Sequence, residues 1–154
     1  MFPREPFSSF PPENMKILFL DVDGVLNCEY TFKKSRKDGE IMGLDPYMVL
    51  LVDRIVQATG CKVVLSSSWR YDEKSKEIVM KAVPFVDITP MSKGLHVRGW
   101  EIKAWLEAHP EVEKYAILDD NDDMLTEQLP NFFKCAWNTG LTDEIAGKVI
   151  KHLE

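Results

Sequence analysis

Apolar residues recur along this chain in two rhythms. Short, nearly continuous runs of branched and aromatic side chains occur at Lys16–Leu20, Cys61–Leu65, Phe85–Thr89, Tyr115–Leu118 and Phe132–Trp137. Runs of that length without polar alternation suit strands buried on both faces. Between them the spacing changes to three and four. Met48, Leu51, Val52, Ile55 and Val56 define one helical face, with Asp45 placed as N-cap, Pro46 as first helical residue and Gly60 past the end. A weaker stripe of Ile78, Val79 and Ala82 predicts a helix over 71–82. Ile102, Trp105 and Leu106 predict another over 100–108, stopped by His109-Pro110. Thr142 caps a last helix, with Asp143 and Glu144 in its favourable first turn. Strand and helix alternate, so the connections are crossovers and the sheet is expected to be parallel, an α/β fold.

The stretches outside this rhythm are few. Residues 1–14 hold four prolines and three phenylalanines and read as an extended arm ahead of a single domain over 15–154. Residues 28–45 mix charges without periodicity. They predict a loop or small hairpin turning at Asp38-Gly39, a lid or a plain surface connection. A chain of 154 residues, 45% hydrophobic, can bury a single core. No apolar run approaches the ~20 residues needed to span a bilayer, and the prolines of the start leave no signal-peptide core. Cys28, Cys61 and Cys135 are too scattered for a disulfide framework or zinc site, which points to a reducing, cytoplasmic setting. A net charge of −6 argues against broad nucleic-acid affinity but not against contact with one end.

The chemistry lies where the strands stop. The first ends at Asp21 and Asp23, with Gly24 to turn the backbone; the second in Ser66-Ser67-Ser68; the fourth in the acid cluster from Asp119 to Asp123. In a parallel sheet all three ends share one edge, where open α/β folds bind ligands. Asp21 suits a carboxylate nucleophile and Asp23 a proton carrier. Carboxylates converging from two strand ends need a cation, and an all-oxygen site favours Mg²⁺. Hydroxyls and a basic residue from the segment holding Lys93, His96 and Arg98 suit a phosphoryl group. Each feature has a plainer reading: a turn for Asp21 to Gly24, a helix cap for the serines, a solvated turn for the acids, an Arg98–Glu101 pair at helical spacing.

The order of these features resembles the haloacid dehalogenase (HAD) superfamily of phosphohydrolases. ILFLDVDG is similar to its first motif, VVLSS to its second and YAILDDNDD to its fourth, over roughly residues 15–140. The strings VVLSSSWR, DITP, RGWEIKAWL, YAILDD and TGLT resemble more narrowly the small HAD domain associated with Swiss Army Knife RNA-repair proteins. The resemblance implies a three-layer Rossmann-like sheet with helices on both faces and a minimal cap. It implies an Asp21 nucleophile forming an aspartyl-phosphate, with Asp23 as acid and base. It further implies Mg²⁺ on Asp21, Asp119, Asp120 and the Asp23 backbone carbonyl. Ser66 or Ser67, and Lys93 or Arg98, would hold phosphate. Arg70 is similar to the arginine that follows the second motif in polynucleotide-end phosphatases. Trp69 beside it could stack on a base, whereas Trp105 belongs to a core stripe. A small cap leaves the site open to a large substrate such as a nucleic-acid end or a phosphoprotein. A binding module without turnover and a receiver-like phospho-acceptor are the alternatives.

Overall fold

The computed structural model describes residues 15–31, 43–91 and 97–154. The proline-rich stretch 1–14, most of the expected lid with its Asp38-Gly39 turn, and Lys93 and His96 lie outside the described residues. Five strands form one parallel sheet: β1 (Met15–Leu20), β2 (Lys62–Leu65), β3 (Phe85–Ile88), β4 (Val112–Asp119) and β5 (Phe132–Lys134). Their spatial order is β3-β2-β1-β4-β5. Among the described residues these helices accompany them: α1 (Pro46–Thr59), α2 (Glu73–Ala82), α3 (Arg98–Glu107) and α4 (Asp143–Leu153).

β1 lies at the centre and is buried on both sides, which is why its sequence shows no alternation. Leu18 and Leu20 pack with Met48, Leu51, Val52 and Ile55 of α1, Val79 of α2 and Val149 of α4. Ile17 and Phe19 pack on the opposite face with Ile102 and Trp105 of α3. The Trp105 ring meets Phe19 edge-on, with centroids 5.4 Å apart. Helices on both faces of one sheet make the three-layer, Rossmann-like arrangement.

Local chemistry fixes the ends of these elements. The Asp45 carboxylate accepts from the Tyr47 N–H at the start of α1, and Gly60 ends it in the left-handed region at φ 74°. The helix expected over 71–82 forms, starting two residues later than the apolar stripe suggests. Ser67 caps a 3-10 turn over Ser68–Tyr71, and Asp72 then caps α2 through the Ser75 N–H. Two caps in quick succession therefore set the start of α2 at Glu73 rather than Tyr71. A 3-10 segment, Thr126–Asn131, fills the interval before β5 without any apolar periodicity to announce it. β5 stops at Lys134 rather than Trp137, because Ala136 pairs with Gly140 in a small antiparallel bridge.

The topology reverses between β1 and β4, the switch point at which such sheets open a crevice. Register places the reactive residues there. Leu20 lies level with Leu65 on one side and Leu118 on the other. The next row is held by backbone bonds: Asp21 N–H to the Leu118 carbonyl (3.0 Å), Ser66 N–H to that of Leu20 (2.9 Å) and Thr89 N–H to that of Leu65 (2.9 Å). Asp21, Ser66, Thr89 and Asp119 therefore line one edge. Between β2 and β3 the chain holds only the 3-10 turn and α2, so any cap there is minimal.

Candidate active site

Asp21, Asp119 and Asp120 each bring a carboxylate oxygen to within 4.8 Å of the others. Asp21 is 5% exposed and Asp119 1%. Burial on that scale is costly for charge unless it is compensated. The compensation visible in the protein is Arg98, from the first residue of α3. Its Nη1 lies 3.5 Å from Asp21 Oδ1 and its Nε 3.7 Å from Asp119 Oδ2, and Nη1 also donates to the Ser66 carbonyl.

Among the described residues, one guanidinium faces three carboxylates and does not balance them. Burial, then repulsion from Asp119, hold the Asp21 carboxyl well above the usual carboxylate range despite Arg98. Burial likewise raises Asp119 to about 6, with Arg98 opposing it. Burial alone would lower the Arg98 guanidinium, but Asp21 and Asp119 outweigh it and leave it raised. Asp119 Oδ2 is buried with no hydrogen-bond partner among the described residues. An all-oxygen set with more acids than cations among the described residues, and a buried oxygen without a hydrogen bond, fits a hard divalent cation.

Small residues make the convergence possible. Gly24 has φ 80°, and a Cβ there would lie 2.3 Å from Asp120 Oδ2. Gly99, next to Arg98, lies so close to the chain after β4 that a Cβ would sit 2.7 Å from the Leu125 nitrogen. Asp123 fastens the start of α3: its carboxylate accepts from the Arg98 N–H and its carbonyl from the Gly99 N–H, both at 3.0 Å. Arg98 thus faces the acids because α3 is pinned to the acid loop itself.

Asp23 stands apart from the acid trio. Its Oδ1 accepts from the Trp69 indole Nε1–H at 2.9 Å and from Asn27 Nδ2 at 3.0 Å. The metal role expected of Asp23 therefore rests on its backbone carbonyl. Asn27, fully buried, also donates to the Gly43 carbonyl (2.7 Å) and accepts from the Gly24 N–H (2.8 Å), so one amide ties the whole first loop.

The two serines differ in what they touch. Ser67 Oγ caps the 3-10 turn, accepting from the Trp69 N–H at 3.2 Å. Ser66 Oγ is buried with no partner among the described residues, so it is the hydroxyl left for a ligand. The Arg70 guanidinium is engaged within the protein. Its Nη2 lies 2.6 Å from Glu101 Oε1 and its Nη1 donates to Thr89 Oγ1 at 2.8 Å. Both side chains of that ion pair are at most 5% exposed, so Arg70 ties the turn after β2 to α3. Glu101 accordingly meets Arg70, and Arg98 is left for the acids. Trp69 is turned by its N–H toward Asp23, with the ring edge against Gly43. Trp105 is core, as its stripe predicts. Burial and then the neighbouring Asp119, Asp120 and Asp21 push the Cys135 thiol up to about 12.

A family model described as the HAD domain in Swiss Army Knife RNA repair proteins matches residues 17–146. The chain belongs to that HAD family. The match spans every strand and the acid cluster, and it agrees with the sheet order and with acids at the ends of β1 and β4. HAD domains are in general phosphohydrolase-type, which is the coarse function the family carries. No curated protein and no solved structure is significantly similar to the chain. Among the described residues no helix is long and apolar enough to cross a membrane.

Sequence reasoning misses the supporting roles of Asn27, Asp123 and Glu101. Asn27 could have been suspected as a turn residue four places after Asp23. The partner of Glu101 could not, because it lies 31 residues away.

Proposed function

We propose that this HAD domain is a Mg²⁺-dependent phosphomonoesterase that works through an aspartyl-phosphate on Asp21 and takes a phosphorylated nucleic-acid end. The observation that carries the reading is the convergence of Asp21, Asp119, Asp120, Arg98 and the unpartnered Ser66 hydroxyl at one sheet edge. A carboxylate that only capped a turn would face water; Asp21 is buried beside a guanidinium and two acids.

In this reading Asp21 Oδ attacks phosphorus and the bond from phosphorus to the leaving oxygen breaks. Asp23 gives that oxygen a proton. It then takes one from the water that splits the aspartyl-phosphate. The Ser66 hydroxyl donates to a phosphoryl oxygen, and Arg98 pairs with the charge that develops there. Asp21, Asp119, Asp120 and the Asp23 carbonyl would hold Mg²⁺, which supplies charge neutralisation for the acids and the phosphoryl group. Ser67, as a cap, supports the turn that presents Ser66. Lys93 remains a second candidate for the phosphate cation.

The nucleic-acid end is supported by the RNA-repair description of the family and by the minimal cap between β2 and β3. At a net charge of −6 the contact is local, limited to the terminal phosphates. The free, buried cysteines support a cytoplasmic location within the same proposal.

The test is turnover of 3′- and 5′-phosphorylated oligonucleotides and of aryl phosphates in Mg²⁺, with Asp21→Asn beside the wild type. Loss of a covalent nucleophile should lower kcat at least about a thousandfold. Residual activity within tenfold would remove Asp21 from the chemistry. A phosphorylated protein that does not turn over would favour the receiver-like alternative.

A further inference from the structure

Asp23 is held in an unusual way for a group that must both give and take a proton. One of its oxygens, Oδ1, receives two N–H donors, Trp69 Nε1 at 2.9 Å and Asn27 Nδ2 at 3.0 Å. Oδ2 has no hydrogen-bond partner among the described residues. Neither donor can accept a hydrogen bond in return, because an indole N–H and an amide NH₂ only donate. The two donors come from independent elements: Asn27 from the loop after β1, Trp69 from the 3-10 turn after β2. Each is itself fixed. Asn27 is bound to the Gly43 carbonyl and the Gly24 N–H, and the Trp69 backbone N–H is bound to Ser67. The Trp69 ring lies so close to Gly43 that a Cβ there would be 3.0 Å from its edge.

We infer that Trp69 is a positioning residue for proton transfer: its indole N–H and Asn27 fix Oδ1 of Asp23, and so reserve Oδ2 for exchange with the leaving oxygen and the attacking water. The inference rests on the phosphatase reading and deepens it. A free carboxyl rotates about its last bond and offers either oxygen, whereas two fixed donors on one oxygen select one rotamer. The gain is in orientation of a general acid, whose full contribution is typically ~10²–10⁴-fold. It also gives the tryptophan beside the serine run a function other than base stacking. The ring edge is tied to Asp23 and the ring packs partly against the core, and what the site uses is the N–H.

Leaving-group dependence separates the two uses. General-acid help matters for an alkoxide, which departs poorly without a proton, and little for a nitrophenolate. Trp69→Phe keeps an aromatic ring and removes the donor. The comparison is kcat/KM, which covers the steps up to loss of the leaving group, for glycerol 2-phosphate and for p-nitrophenyl phosphate. Neither substrate carries a base to stack. The expected result is a loss on the alkyl ester at least about tenfold greater than that on the aryl ester. Trp69→Leu serves the same comparison should Trp69→Phe not fold. Equal losses on both esters would overturn the inference and make Trp69 a packing residue. A defect seen only with phosphorylated oligonucleotides, and with neither small ester, would overturn it in favour of stacking. Absence of wild-type turnover on every ester, or turnover that survives Asp21→Asn, would overturn the phosphatase reading and this inference with it.

Discussion

Replacing Asp119 with asparagine should make the metal-free protein more stable, although it removes a buried ion-pair partner. The amide would keep the volume and the oxygen that accepts from the Asn121 N–H at 3.0 Å. What the change removes is the charge on an oxygen that is buried without a hydrogen bond. Asp119 is raised from 3.8 to about 6, chiefly by burial. A raised carboxylate binds its proton more tightly in the folded chain than in the unfolded one. Its effect is therefore a loss of folded-state stability as pH climbs from about 4 through about 6. At pH 7.5 that loss amounts to roughly 3 kcal/mol. The 3.7 Å attraction to Arg98 is already contained in that balance, because it opposes the upward shift. The net stabilisation in EDTA is then up to about 3 kcal/mol, or roughly 6–12 °C in Tm for a chain of this size. Near pH 4 wild type and variant should converge, since Asp119 is then already protonated. Mg²⁺ at about 1,000 times Kd should reverse the order at pH 7.5, because binding then stabilises wild type by about 4.1 kcal/mol and the variant would lack one carboxylate for the cation. Thermal melts in EDTA and in Mg²⁺ at both pH values check all three points. An Asp119→Asn variant that melts below wild type in EDTA at pH 7.5 would refute the argument that uncompensated charge dominates this cluster.

Two further outcomes follow from the packing around the site. Gly24→Ala puts a Cβ 2.3 Å from Asp120 Oδ2 at a φ of 80°, so it should cost about 1–3 kcal/mol and displace Asp120, weakening Mg²⁺ affinity by calorimetry. Unchanged Mg²⁺ affinity in a folded Gly24→Ala variant would take Asp120 out of the metal site. Arg70→Met removes the guanidinium that meets the buried Glu101 carboxylate at 2.6 Å and should cost about 3–5 kcal/mol, whereas Arg70→Met with Glu101→Leu should recover most of it. Denaturant melts that find the double variant no better than the single would show that the pair is not the source of the loss.

Much of the fold was legible in one dimension because it follows from local rules. Alternating apolar rhythms, with Asp45, Pro46, Gly60 and Thr142 as boundary signals, define strands and helices, and their order makes the sheet parallel. The misread boundary at Tyr71 came from two polar caps that compete with an apolar stripe. The acids and serines at the strand ends were legible for the same reason, since a parallel sheet brings such ends to one edge whatever its register. The sequence by itself therefore determined the α/β class and the chemical content of the site: a buried strand ending in carboxylates, a hydroxyl run and a second acid strand.

Tertiary structure alone decided which partner each side chain meets. Arg98 and Arg70 are both near Glu101, and Arg98 is the one at helical spacing from it. Only the position of α3, pinned by Asp123 and brought close by Gly99, turns Arg98 toward Asp21 and Asp119 and gives Glu101 to Arg70. The same holds for Ser66 and Ser67, where a cap consumes one hydroxyl and leaves the other, and for Trp69, whose N–H reaches an acid 46 residues away. Charged and polar side chains are long and lightly constrained by their own neighbours. Their pairing is set by burial, which makes an unpartnered charge too costly and so forces each to the nearest complement in space.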